Sequence, residues 1–322
     1  MKVSIIIPSH GHRQEYLRGT LKSLQEQDFP GNEFEIIAVD NSPDGKVGKI
    51  VREINLKANH QVVCIEEKRG GLHFARHAGA KAARGDILVF IDDDVITHPQ
   101  WLLSIFQPFE SDSVACVGGK VLPRWETEVP FWFSQFNEGY LSLLNLGEKT
   151  RELNYGGIWG CNMAVKKDVL FQVGGFNPDG IGDKKFIWLR GDGECGLEEK
   201  ILKAGYKVIY EPKAWLYHRI PASRLTPDYF YWRFFTQGIT ESYAYLRKVY
   251  QKKYFYLRML KRLALALMMT VTRFLKLLRP NDSNRKIRLK ADLHYWKGYS
   301  QHLLRCLLDS KLLKYVLKDS YI

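Results

Sequence analysis

Over its first 120 residues the chain alternates short apolar runs with longer amphipathic ones. Val3–Pro8, Phe34–Asp40, Val62–Glu66 and Ile87–Asp92 are brief, rich in Val and Ile and bounded by turn formers, which is the pattern of buried strands. Between them, Gln14–Gln27, Lys46–Lys57 and Leu72–Arg84 carry the helical period, and Gly85 closes the last as a C-cap. This βαβαβαβ succession predicts an α/β fold with a Rossmann-like, doubly wound, mostly parallel sheet. The ligand crevice of such a sheet opens at the carboxyl ends of its strands. Those ends carry Pro8-Ser9-His10, Asp40-Asn41, Glu67-Lys68 and Asp92-Asp93-Asp94.

Farther on, the pattern predicts strands at Val114–Leu122 and around Ile209, and helices over Pro130–Leu146 and Cys195–Ala204. After Pro221 the chain turns aromatic, basic and helical, with a turn at Pro280-Asn281-Asp282. Two regions are expected, 1–220 and a C-terminal α-helical extension over 221–322.

Charge sharpens that division. The net +13 is not spread evenly: residues 1–218 hold 26 basic and 29 acidic side chains, residues 219–322 hold 22 and 6. A near-neutral unit followed by a basic region argues against a nucleic-acid binder. Its aromatics cluster on apolar helices rather than interleaving as stacking platforms. The five cysteines form no CxxC pair and are odd in number, so neither a disulfide framework nor a zinc ribbon is expected, and a reducing, cytoplasmic setting is. The N-terminus lacks the long apolar region of a signal peptide. The longest uncharged apolar stretch of the C-terminal region, Leu263–Thr272, covers ten residues, against the roughly 20 that span a bilayer.

Drawn as one helix, Tyr254–Arg279 gathers Arg258, Lys261, Arg262, Arg273, Lys276 and Arg279 on one side, leaving the rest almost wholly apolar. Two readings stand: a helix lying on an anionic membrane surface at the inner face of the cell membrane, or one docked on the catalytic unit with a solvated basic edge.

Three segments carry chemistry. In FIDDDV (90–95), three successive carboxylates at a strand end repel one another and are costly to desolvate without a cation. Asp92 and Asp94 point to the same side of an extended backbone, suiting Mg²⁺ or Mn²⁺; the plainer reading is a solvated acidic loop or helix cap. In KRGGLHFARHAGAKAARGD (68–86), Gly70-Gly71 precedes a helix whose N-terminus suits anions, with Arg76 and His77 in its second turn. In RGDGE (190–194), Asp192 and Glu194 precede an amphipathic helix, where two acids also serve a helix N-terminus.

At these spacings SIIIPSHGH, VDNSPDG and RGGLHFARHAGAKAARGDILVFIDDDV resemble a family 2 glycosyltransferase of GT-A fold. GCNMAVKKDVLFQVGGFNPDG and GDGECGLEEKILKAGYKVIYEPKAWLYHRI resemble its acceptor-side segments. The resemblance implies inverting transfer of a sugar from a nucleotide-sugar, UDP-linked for preference, to an acceptor hydroxyl of a glycan or lipid-linked glycan, with a divalent metal. It implies that Pro8 and Ser9 hold the base, that Asp40 contacts base or ribose, and that Lys68, Gly70 and Arg76 lie along the nucleotide-sugar. Asp92, Asp93 and Asp94 match the DxD motif, Asp94 being the direct metal contact.

By the same resemblance Glu194 is the catalytic base, with Asp192 as the alternative and Gly193 where the family has Glu. His77 stands where Asn is usual. His218 matches a histidine that completes the metal site or contacts the diphosphate. Arg219 and Arg224 are placed to neutralise the departing diphosphate, and Trp159, near Asn162, to meet the acceptor. No QxxRW motif is present, so a single addition is expected. The competing readings are a sugar nucleotidyltransferase, whose glycine-rich loop PSHGHR does not match, and an inactive glycan- or nucleotide-binding relative.

Overall fold

The computed structural model describes residues 1–180, 184–280 and 282–322; the turn expected at Pro280-Asn281-Asp282 falls partly on Asn281, outside the described residues. The first part alternates as the pattern requires: β1 (Val3–Ser9), α1 (Gln14–Gln25), β2 (Phe34–Asp40), α2 (Lys46–Asn55), β3 (Val62–Glu66), α3 (Leu72–Ala82) and β4 (Ile87–Ile91). Strands β1, β2 and β4 are buried at every position, so apolar runs without alternation form them. The remaining elements are β5 (Val95–Thr97), α4 (Trp101–Phe106), β6 (Val114–Trp125), β7 (Arg151–Leu153), β8 (Asn162–Lys166), α5 (Lys167–Gln172), α6 (Gly193–Lys203) and β9 (Lys207–Ile220).

These strands form one sheet in the order β3-β2-β1-β4-β8-β6-β9-β5, with β7 also paired to β9. The β3-β2-β1-β4 half is parallel. Beyond it, β8 runs antiparallel to both β4 and β6, and β9 parallel to β6. Strand order reverses next to β1 and β4, and ligand crevices of open α/β sheets form at such switch points.

The helix expected over Pro130–Leu146 does not form. Two short 3₁₀ turns, Phe131–Gln135 and Glu138–Leu141, take its place, and Ser142 at φ 59° reverses the chain. Leu144 then pairs with Val121 of β6. The aromatic spacing that imitated a helix serves tertiary packing: Phe133 and Phe136 lie 5.6 and 4.7 Å from Phe230 between ring centroids.

From Pro227 the chain is helical: α7 (Pro227–Val249), α8 (Phe255–Leu277), α9 (Ser283–Leu308) and α10 (Ser310–Val316). Thr226 caps α7 by accepting from the Tyr229 amide, and Pro227 occupies its first position. Helices α7 and α9 cross closely because Gly238 and Gly298 face each other's partner backbone. A Cβ at either would lie 2.0 and 2.1 Å from the carbonyls of Tyr295 and Phe235. Phe230, Phe234 and Ala291 join the same core as the sheet, while α7 to α10 share a second core around Tyr243, Tyr299 and Leu303.

Candidate active site

A cleft of about 390 Å³ opens at the carboxyl ends of β1 and β4, lined by Pro8, Ser9, His10, Arg13, Asn41, Leu72, Asp92, Asp93, Asp94, Gly180 and Arg224 among others. Its floor is built by backbone register. Strand β5 follows Asp94 directly and pairs with β9 so that Val95 stands opposite His218. The Arg219 amide donates to the Asp94 carbonyl at 3.0 Å. Two residues 124 positions apart are thereby neighbours, with His218 Nε2 3.2 Å from Asp94 Oδ1.

Ligand atoms of Asp92, Asp94 and His218 all lie within 4.8 Å of one another. His218 Nδ1 is 2.9 Å from the Leu141 carbonyl, to which it can only donate, so Nε2 carries the lone pair of the neutral ring. Asp94 Oδ1 is buried without a hydrogen bond. Two carboxylates and an imidazole nitrogen, with an orphaned oxygen between them, fit a divalent cation such as Mg²⁺ or Mn²⁺.

Arg224 faces the same point. Its Nη1 donates to His218 Nε2 at 2.8 Å and its Nη2 to Asp94 Oδ2 at 2.9 Å, while Arg13 Nη1 stands 3.6 Å from Oδ2. Burial disfavours the charged Asp94, but the charges facing it, the His218 ring when protonated and the Arg224 and Arg13 guanidiniums, outweigh it and hold its carboxyl down at about 2. Asp93 points the other way and accepts from Ser9 Oγ. Burial, then the Asp94 charge, pushes it up to about 7. Asp92 is likewise raised, by burial and then by Asp94. The three acids thus differ in electrostatic setting although adjacent in sequence.

Arg76, only 2 % exposed, lies behind the cleft. Its Nη2 is 3.8 Å from Asp92 Oδ1 and its Nη1 3.5 Å from Glu194 Oε2, so one guanidinium links the DxD carboxylate to the acid at the start of α6. Phe176 packs 5.0 Å from it. Glu194 also accepts from the Gly160 amide at 3.3 Å. Burial and then the charge of Asp179 raise its pKa, and Arg76 restrains the rise.

Gly193 has φ 46°, a left-handed backbone that favours glycine, and a Cβ there would lie 2.8 Å from Asp179 Oδ2. The side chain that the resemblance leads one to expect at 193 has neither conformation nor space. Asp192 turns to the opposite side of α6: it accepts from Asn177 Nδ2 at 2.6 Å and borders a separate cavity with Lys200 and Arg247.

Several expected residues stand away from the cleft. Asp40 accepts from the Ser42 amide at 2.9 Å and the Gly48 amide at 3.2 Å, capping the approach to α2, and Asn41 takes its place on the cleft wall. Lys68 and Gly70 are exposed. Arg219 is drawn outward to Glu126, 3.6 Å away, and the Tyr16 ring. Asn162, expected at the acceptor, is wholly buried: it accepts from Trp101 Nε1 at 2.8 Å and donates to the Lys120 and Ala214 carbonyls, tying α4, β6 and β9 together. Trp159 is half-buried, with Nε1 donating to the Leu143 carbonyl at 2.9 Å.

The sequence pattern missed Arg13 and Glu198, and it marked Asn41 only as part of a strand end, with no role assigned. Arg13 ends the loop after β1, a strand-end position like those it did single out. Glu198 lies one turn beyond Glu194 and accepts from the Gly157 and Ile158 amides at 3.0 and 3.2 Å, holding the 157–160 loop against α6. His77, the departure from the usual Asn, is buried and neutral, its pKa pushed down to about 3 chiefly by burial. Its Nε2 accepts from the Phe176 amide at 2.9 Å, anchoring the loop whose Gly180 lines the cleft.

Comparison with known proteins agrees with this fold. The family model for Glycosyl transferase family 2 matches residues 4–174. The glucosyl-dolichyl phosphate glucuronosyltransferase of Haloferax volcanii is 29% identical over 251 residues, covering 75% of this chain and 76% of that protein. Glycosyltransferase AglE of the same organism is 27% identical, with 60% and 62% covered. The mannosyltransferase PcManGT from Pyrobaculum calidifontis, solved with GDP-Man and Mn²⁺, superposes with a TM-score of 0.54 at 16% identity, covering 97% of this chain and 78% of that one. GalNAc-T7, solved with UDP, GalNAc and Mn²⁺, gives 0.53 at 17% identity, covering 68% and 43%. With the family model matching over half its length and the sheet and helices arranged as in these GT-A enzymes, the chain belongs to glycosyl transferase family 2.

Proposed function

We propose that this protein transfers a sugar from a nucleotide-diphosphate sugar, UDP-linked for preference, to one hydroxyl of a glycan or lipid-linked glycan, with inversion at the anomeric carbon. The observation that carries the reading is Arg76, whose single guanidinium joins Asp92 of the metal group to Glu194 of the acceptor side. Donor phosphates and proton acceptor are thereby held at one fixed separation.

In this reading Pro8, Ser9, Arg13 and Asn41 border the nucleoside, and Asp92, Asp94 and His218 would hold Mg²⁺ or Mn²⁺. The cation would supply positive charge against the departing diphosphate. The acceptor oxygen attacks the anomeric carbon from the face opposite the diphosphate. Its proton passes to a carboxylate oxygen of Glu194 while the bond from the anomeric carbon to the phosphate oxygen breaks, and Arg224 meets the leaving charge. Burial makes Glu194 a stronger base than a solvated carboxylate, and the Arg76 charge beside it restrains that rise. A lipid-linked acceptor places the protein at the inner membrane face as a peripheral enzyme. Among the described residues no helix is long and apolar enough to cross a membrane.

The test is nucleotide release from a panel of nucleotide-sugars, with and without Mn²⁺. Turnover of a UDP-sugar that needs the metal and is lost in Asp94→Ala and Glu194→Ala, both still folded, is expected. Undiminished turnover in either variant overturns the assigned roles, and absence of release from every donor overturns the reading.

A further inference from the structure

Helix α8 presents three different faces. At about 100° per residue, Met259, Leu263 and Ala266 share one side and are buried against Tyr299, Leu303 and Cys306 of α9. A second side, about 120° wide, holds Leu260, Leu267, Met268, Val271, Phe274 and Leu275, each 49 to 55 % exposed. From Tyr256 to Leu278 that side carries no charged residue. The third side carries Arg258, Lys261 and Lys276, with Arg279 following just beyond the helix end.

A helix docked on its own protein has no need of a second apolar face, and one merely solvated would not keep this face free of charge for six turns. We propose that α8 is the membrane-docking element: it lies in the plane of an anionic bilayer, with its uncharged face sunk among the acyl chains. The 23 residues of α8 span about 34 Å, long enough to act as a keel along the surface. Charge complementarity selects the occupant. Basic side chains run along one margin of the apolar face at the level of headgroup phosphates, and no acidic residue lies anywhere on α8. A second copy of the chain would have to bring that basic margin against its own. The docking face is distinct from the cleft and does not rest on the proposed reaction.

The experiment is flotation of the full chain with vesicles of phosphatidylcholine alone or mixed with phosphatidylglycerol, beside light scattering without lipid. Binding confined to the anionic vesicles and weakened by salt is expected. The double variant Leu267→Glu/Val271→Glu should lose that binding at least tenfold. Both sites are exposed, so its thermal midpoint should match the parent. Lys261→Glu should weaken binding while leaving nucleotide release in solution unchanged. The proposal is overturned by equal binding of the Glu variants. It is also overturned by a lipid-independent dimer that the double variant dissociates, which would make this face a protein interface.

Discussion

Arg224 donates to the Nε2 atom of His218 at 2.8 Å, the ring nitrogen that lies 3.2 Å from Asp94 Oδ1. With Nη2 on Asp94 at 2.9 Å, the guanidinium holds two members of the metal group in place and competes with any cation approaching them. Under the proposed function, release of Arg224 toward the diphosphate is the counterpart of metal binding. Arg224→Gln should bind Mn²⁺ more tightly without nucleotide, by about 1–2 kcal/mol or roughly tenfold, and should bind nucleoside diphosphate more weakly. Titration calorimetry or Mn²⁺ paramagnetic resonance reads both. Weaker Mn²⁺ binding by the variant would mean that Arg224 supports the site rather than competing in it.

Gly160 packs against Arg76 so tightly that a Cβ would sit 2.1 Å from Nη2. Gly160→Ala must therefore push the guanidinium off its line between Asp92 and Glu194. Overpacking of this kind costs about 1–3 kcal/mol of stability, while a displacement near 1 Å in a catalytic array costs up to about a hundredfold in rate. A kcat loss of that order, with a fold that still melts cooperatively, is the expected result. Normal kcat in a folded variant would show that the Arg76 bridge does not set the geometry.

The two acids of RGDGE separate by kinetics. Glu194→Gln keeps shape but cannot take a proton, so kcat should drop by at least about a hundredfold with nucleotide affinity retained. Asp192→Asn keeps an acceptor for Asn177 and should leave kcat near that of the parent, its effect appearing in thermal stability. The opposite ranking would transfer the base to Asp192.

Glu198 gives stability a pH dependence whose sign is set by burial. Its carboxyl is raised from 4.5 to about 8, mainly by desolvation. Below about pH 4.5 it is protonated folded and unfolded alike. Between 4.5 and 8 the unfolded chain has released the proton while the fold retains it, so stability falls as pH rises through that window. At about 1.4 kcal/mol for each pH unit of that window, the loss is at most about 5 kcal/mol. Glu198→Gln should be less sensitive to pH between 5 and 8 in thermal melts. Identical slopes in the two proteins would place the dependence elsewhere.

The nucleotide half of the fold was legible because each of its elements is locally self-consistent. Val3–Ser9 and Ile87–Ile91 are apolar at nearly every position, and burial on both faces asks for nothing else. The triple aspartate was legible because buried like charges have few other uses. Phe131–Leu141 was misjudged because its aromatics pack on Phe230, a partner 90 or more positions away that periodicity does not register. Asn162 could not be told from a ligand contact, since its value lies in bonding three backbone and side-chain partners from distant elements. Arg224 reaches Asp94 through the pairing of β5 with β9, and Arg13 through the parallel pairing of β1 with β4, registers that the residue types at 13 and 224 do not encode.

That pairing also governs when the protein becomes competent during synthesis. The ribosome delivers Asp92 and Asp94 long before His218 and Arg224, and β4 waits for β8 to cover its open edge. At about 5–20 residues per second, the nascent chain spends several seconds with Asp92 and Asp94 made and His218 still to come. Under the proposed function, a fragment that stops short of β9 lacks one member of the Asp92, Asp94 and His218 group, so chemistry waits for the last strand of the sheet.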